Sequence, residues 1–87
     1  MTFSTLARSL TLEPMAREIV AFIDKAGSIS AREAMADLGI TSASLTRRLT
    51  DIEQAGIPIR RQRRTHPVTG QRFTRYSFDP TTRHTGA

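Results

Sequence analysis

Arginine is the residue whose abundance and placement carry chemistry in this chain. Twelve of its thirteen basic residues are Arg. A guanidinium presents a planar fork of donors that matches phosphate oxygens and the guanine edge, which an ammonium does not. Arg47 and Arg48 stand together among small hydroxyl residues: Thr41, Ser42, Ser44, Thr46 and Thr50. Six more arginines, Arg60, Arg61, Arg63, Arg64, Arg72 and Arg75, crowd into a short C-terminal stretch. The net charge is +5, and it is segregated. Residues 1–56 hold six basic and seven acidic side chains, whereas residues 57–87 hold seven basic and one acidic. Solubility does not call for such segregation, but an anionic partner for the C-terminal third does.

The residues that catalysis needs are missing. His66 and His84 are the only histidines, and they fall in loop and tail sequence. With no cysteine there is no disulfide, thiolate metal site or Cys nucleophile. Glu33 and Asp37 share a helix face, where a capping role and an exposed charge account for them. Neither a phosphate-cradling glycine loop nor a metalloprotease motif occurs. The expectation is a chain that is not an enzyme and takes no cofactor, metal or small-molecule ligand. The absence of a membrane-length apolar run or a secretory signal makes the cytoplasm the expected compartment.

The arginines need elements to position them. Residues 29–49, ISAREAMADLGITSASLTRRL, read as two short helices joined by a tight turn. Ser30 and Glu33 have the spacing of a capping box, in which hydroxyl and carboxylate each take an orphan backbone N–H. The pattern predicts a helix over 31–38 with Ala34, Met35 and Leu38 on one face. Gly39 ends it, at the position where a positive φ is needed. Ile40 plugs the turn, and Thr41 or Ser42 caps a helix over 42–55 in which Leu45, Leu49 and Ile52 form an apolar stripe. The opposite face carries Ala43, Ser44, Arg47, Thr50, Asp51 and Gln54, with Arg48 on the flank. That face suits a helix entering a major groove, and it also suits an ordinary helical hairpin with a solvated side. Asp51 stands four residues from Arg47, the spacing of a helix ion pair.

Upstream, residues 13–26 are the clearest helix. Thr11 is a suitable cap, Pro14 is tolerated in the first turn, and Met15, Ile19, Phe22, Ile23 and Ala26 form the apolar face. Ser28 and Ile29 make a very short strand. After Gly56 the period becomes two: Ile57 and Ile59 alternate with Pro58 and Arg60, and Pro58 places this strand at an edge or leaves its start irregular. Residues 66–70 form a turn. Residues 71–78 return as a strand with Tyr76 and Phe78 on one face and Phe73 on the other. Residues 1–12 read as a tail or a short helix, and residues 79–87 as a disordered tail.

Residues 29–41 fit the pattern I-S-x-x-E-A-x-x-x-L-G-I-T. Gly56, Ile57 and Ile59 supply G-I-x-I, and Gly70, Arg72 and Tyr76 supply G-x-R-x-x-x-Y. In these motifs the chain resembles the small, often phage-encoded, winged helix-turn-helix DNA-binding proteins, over residues 15–78. The resemblance implies DNA binding with the third helix in the major groove and the hairpin "wing" along the backbone or minor groove. Here more arginine precedes the wing turn than the pattern carries, which implies a larger phosphate contribution. Met35 stands where wingless helix-turn-helix patterns place Ala.

The expected fold is therefore α+β: a three-helix winged helix-turn-helix with a C-terminal two-stranded β-hairpin wing, over residues 13–78. The expected partner is double-stranded DNA and the expected role that of a small transcriptional regulator. Helix 42–55 would lie in the major groove and the basic wing, 57–78, on the backbone or minor groove. Candidate DNA-binding residues are Thr41, Ser42, Ser44, Thr46, Arg47, Arg48, Thr50, Arg61, Arg63, Arg64, Arg72 and Arg75. A domain this small covers few base pairs, so specificity calls for a homodimer on DNA or a partner protein. Two rival readings use the same elements. A protein-interaction module, as a replication accessory or inhibitor, would expose apolar residues on the third helix or wing. A non-specific architectural or excision factor would use the same basic surface. RNA recognition would need more stacking surface than five aromatics, most of them core, provide.

Overall fold

The computed structural model describes Arg8 and residues 10–79. Its elements are α1 (Pro14–Ala26), β1 (Ile29–Ser30), α2 (Ala31–Glu33) continued by a π-helical turn (Ala34–Leu38), α3 (Ser42–Gln54), β2 (Ile59–Thr65) and β3 (Arg72–Phe78). The expected terminal tails, apart from Arg8, residues 10–12 and Asp79, lie outside the described residues.

Glu13, and not Thr11, caps α1. Its two carboxylate oxygens accept the N–H groups of Ala16 at 2.7 Å and Met15 at 3.1 Å. A carboxylate there also places negative charge at the positive end of the helix. Thr11 lies too far upstream, and its N–H and hydroxyl both donate to the Arg8 carbonyl. The buried row is Ala16, Ile19, Val20 and Ile23, an i, i+3, i+4, i+7 stripe. Met15 and Phe22 flank it, while Ala26 is exposed. Sequence periodicity permits either row, and the packing partner selects between them.

The capping box at α2 forms as its spacing requires. Ser30 Oγ accepts the Glu33 N–H at 3.3 Å, and Glu33 Oε1 accepts the Ser30 N–H at 3.0 Å. The helix then widens into the π turn. With hydrogen bonds spanning five residues, residues four apart keep a common face better than residues three apart. Leu38 accordingly stays with buried Ala34, while Met35 swings outward and is 58% exposed. The predicted face of Ala34, Met35 and Leu38 thus loses its middle member. Gly39 follows at φ 70°. Thr41, of the two candidate residues, caps α3, its Oγ1 accepting the Ser44 N–H at 3.2 Å.

Leu45, Leu49 and Ile52 of α3 are fully buried against the α1 stripe, with Ile29, Ile57 and Ile59 completing the core. Each such side chain contributes roughly 1.5–3 kcal/mol on burial. At Gly56, φ 95°, the chain reverses beneath Arg8, whose guanidinium donates to the Gly56 carbonyl at 2.8 Å. A Cβ at this position would meet Arg8 side-chain atoms at 3.2–3.3 Å.

The sheet has the order β1-β3-β2, all antiparallel. The expected hairpin is present, and β1 adds a third strand by pairing Ile29 with Tyr76 and Ser30 with Arg75. β2 pairs from Ile59↔Phe78 to Thr65↔Arg72 and forms the outer edge. Just before it the Asp79 N–H donates to the Pro58 carbonyl at 3.0 Å, while the reciprocal bond is absent because Pro58 has no N–H, so the regular ladder starts at Ile59. Side chains alternate between faces. Ile29, Ile59, Tyr76 and Phe78 share the core face with Arg61, Arg63 and Arg72. Arg60, Gln62, Arg64, Phe73 and Arg75 take the other.

Candidate nucleic-acid interface

α3 buries one stripe and presents Ser42, Ala43, Thr46, Arg47, Thr50 and Gln54 to solvent. Among the described residues Arg47 has no hydrogen-bond or ion-pair partner. The hydroxyls beside it are already oriented. Thr46 donates to the Ser42 carbonyl at 3.1 Å and Thr50 to the Thr46 carbonyl at 3.2 Å. Each therefore faces outward with lone pairs, as an acceptor. At the helix start, Thr41 Oγ1 donates to Ser44 Oγ at 3.1 Å, so these two residues are tied into the cap.

Arg48 behaves differently from its neighbour. Its Nε lies 3.3 Å from Glu13 and its Nη1 3.3 Å from Asp51. This corrects the expected Arg47–Asp51 pair. The i+3 arginine reaches Asp51 because Arg48 lies on the flank that faces the start of α1, where Glu13 supplies a second carboxylate. Partial desolvation acts to raise the Glu13 carboxyl. The N–H groups of Met15 and Ala16, with Arg48 and Arg17 nearby, outweigh it and hold Glu13 below the usual glutamate range.

The hairpin arginines divide in the same way. Arg61 donates from both terminal nitrogens to both oxygens of Glu53, at 2.7 and 3.1 Å, with its guanidinium 5.9 Å from the Tyr76 ring centre. The Arg61 hydrogen bond is the main cause that lowers the Glu53 carboxyl, and the same bond raises Arg61. Arg75 donates to Ser28 Oγ at 2.8 Å and to Glu33 Oε1 at 2.7 Å. Arg64 makes a neutral bond to Gln62. Among the described residues Arg60, Arg63 and Arg72 have no such partner. Arg63 and Arg72 lie close to the hairpin tip and point to the same face by register. The tip itself is held by His66, whose Nδ1 accepts the N–H groups of Val68 and Thr69, so this loop histidine has a structural role.

Between α2, the start of α3 and β3 lies an open cleft of about 770 Å³ whose lining includes Arg32, Ser42, Gln71 and Arg72. Arg32 was not among the candidate contacts. Its signal in the sequence was slight, a single arginine at the second position of a short helix. Of the twelve candidates, the structure gathers Thr41, Ser42, Thr46, Arg47 and Thr50 on exposed positions of α3 and its cap. It places Arg63, Arg64 and Arg72 on the hairpin surface. Arg48, Arg61 and Arg75 it ties to carboxylates of the domain itself, and Ser44 it leaves half-buried, bonded to the Thr41 cap. No group of three or more metal-ligating side chains occurs among the described residues, and no described helix is long and apolar enough to cross a membrane.

Residues 14–80 match the winged helix-turn-helix domain family. No curated protein and no solved structure matches the chain at a significant level. The family match runs from the first residue of α1 to just past β3, and so takes in the capped α3 and the basic hairpin alike. By its fold and by this match, the chain belongs to the winged helix-turn-helix domain family, a DNA-binding type of domain.

Proposed function

We propose that this chain is a sequence-specific reader of double-stranded DNA that acts as a small transcriptional regulator. The supporting observation is the distribution of arginines without an internal carboxylate partner. Among the described residues they include Arg47 on α3 and Arg60, Arg63, Arg64 and Arg72 on the hairpin, with Arg32 and Arg72 lining the cleft between. In this reading α3 enters the major groove. Arg47 forks onto a guanine edge, and Thr46 and Thr50 offer lone pairs to the amino groups of adenine or cytosine. Thr41, Ser42 and Ser44 stand where the helix start meets the strand. The hairpin lies along the backbone or minor groove, where Arg63, Arg64 and Arg72 neutralise phosphates. Two copies pair on a repeated or palindromic site.

Apolar exposure argues against a protein-docking role for the same surface. The exposed large apolar side chains among the described residues are Leu10, Met35 and Val68; none belongs to α3, and the hairpin carries a single one, Val68 at its tip.

Selection from a random duplex pool, repeated at two salt concentrations, tests the proposal. A defined motif should be enriched, and log affinity should fall against log salt with a slope of about 0.9 per neutralised phosphate. Steep salt dependence without a motif would mark an architectural DNA binder. No binding at low salt would sink the DNA reading.

A further inference from the structure

We infer that Arg61 and Arg75 are positioning residues: with Glu53 and Glu33 they brace the hairpin from its two faces and set the angle at which it meets the duplex. This deepens the DNA-binding reading and rests on it. The two side chains stand on adjacent rungs of the β2–β3 ladder, Arg61↔Tyr76 and Gln62↔Arg75, and by strand alternation project to opposite faces. From the core face, Arg61 engages both oxygens of Glu53 in the last turn of α3, the two-point geometry that fixes orientation as well as distance. From the other face, Arg75 engages Glu33 and Ser28. Glu33 is itself immobilised, because the same Oε1 that receives Arg75 also receives the Ser30 N–H of the capping box. The hairpin root is thus tied to the end of one DNA-facing helix and to the start of the helix before it.

A two-stranded ribbon is marginal by itself and twists readily. From the rung of Arg61 to the end of the ladder at Thr65↔Arg72 is a reach of about 13 Å at roughly 3.3 Å per residue. A tilt of about 10° at the root would therefore carry the tip about 2 Å, enough to take Arg72 out of hydrogen-bond range of a phosphate, and would shift Arg63, halfway along, by about 1 Å. Arg61 and Arg75 thus act through Arg63 and Arg72.

Glu53→Gln separates this role from simple charge neutralisation. If Arg61 were a phosphate contact held back by Glu53, removing the carboxylate would tighten DNA binding and steepen the salt slope by about 0.9. As a brace, its loss weakens binding with the slope unchanged. The expected loss is about 1.5- to 5-fold, the range set by an exposed ion pair. Glu33→Gln should do the same, since glutamine preserves the capping bond. Arg63→Gln and Arg72→Gln should each flatten the slope. The charge-swapped pair Glu53→Arg with Arg61→Glu should recover the affinity that Arg61→Glu alone loses. A second arm needs no DNA: in the free protein, Glu53→Gln should speed amide exchange across residues 60–65 and 72–76 while leaving α1 unchanged. If the unaltered protein fails to bind duplex DNA, the functional reading falls and this arm decides the brace alone. Tighter, steeper binding by Glu53→Gln, or unchanged hairpin exchange, overturns the inference.

Discussion

Whether an arginine in this domain is free to meet a ligand depends on which carboxylates lie within reach, and neighbouring residues can differ completely. Arg47 projects from α3 without a partner among the described residues, while Arg48 is held between Glu13 and Asp51. Arg47→Ala should leave stability within about 0.5 kcal/mol yet remove roughly 1–3 kcal/mol of discrimination between cognate and altered sites, read by competition binding. Arg48→Ala should do the reverse, lowering stability by up to about 1 kcal/mol, since both pairs are partly exposed, with little effect on discrimination. The sequence made the arginines conspicuous but could not divide them. Glu13 reaches Arg48 from a different helix, and the i+4 rule, which sees only one helix, favoured Arg47.

At the scale of elements, local signals were legible because their physics is local. The Ser30–Glu33 capping box, the glycines that stop each helix and the Leu45–Leu49–Ile52 stripe all appear where spacing placed them. The π turn was not legible, because one extra residue wound into a helix leaves the apolar pattern nearly intact while moving Met35 outward. The third strand was missed as a sheet member, since two residues of extended chain become a strand only on meeting Tyr76 and Arg75, far away in sequence. Gly39 offers a clean test of a local signal. A Cβ there would touch nothing within 4 Å, so the cost of substitution is purely conformational. Gly39→Ala at φ 70° should destabilise the domain by roughly 1–2 kcal/mol in urea unfolding. Ser30→Ala, which deletes the α2 cap, should cost about 1 kcal/mol.

For the molecule as a whole, acid response follows from the carboxyls that the fold holds ionised. Glu13 and Glu53 both lie below their ordinary value. Above the unfolded value of about 4.3 each is charged in both states, and its contribution is fully present. As pH falls through that value the unfolded chain binds protons first, so stability declines until the folded groups protonate as well. The unfolding midpoint should therefore be flat from neutrality to about pH 5 and fall below it. Glu53→Gln, with one such group removed, should fall less steeply. The charge segregation of the sequence also acquires a structural meaning at this scale. The acidic residues of the N-terminal two-thirds are in part anchors for the basic third, which is why a domain with so many hairpin arginines leaves only some of them uncommitted.

The outer edge of β2 has one more consequence. Among the described residues nothing pairs with its outer backbone, which is an open template for a strand from another molecule, and residues 60–64 are arginine at every position but one. A second copy joining at that edge would set the two cationic runs about 5 Å apart. Repulsion between those runs would oppose such pairing, and a polyanion lying over the hairpin would lift it. The hairpin charges would thus also guard this edge against pairing with a second copy, and that guard would be weakest where copies crowd on one polyanion.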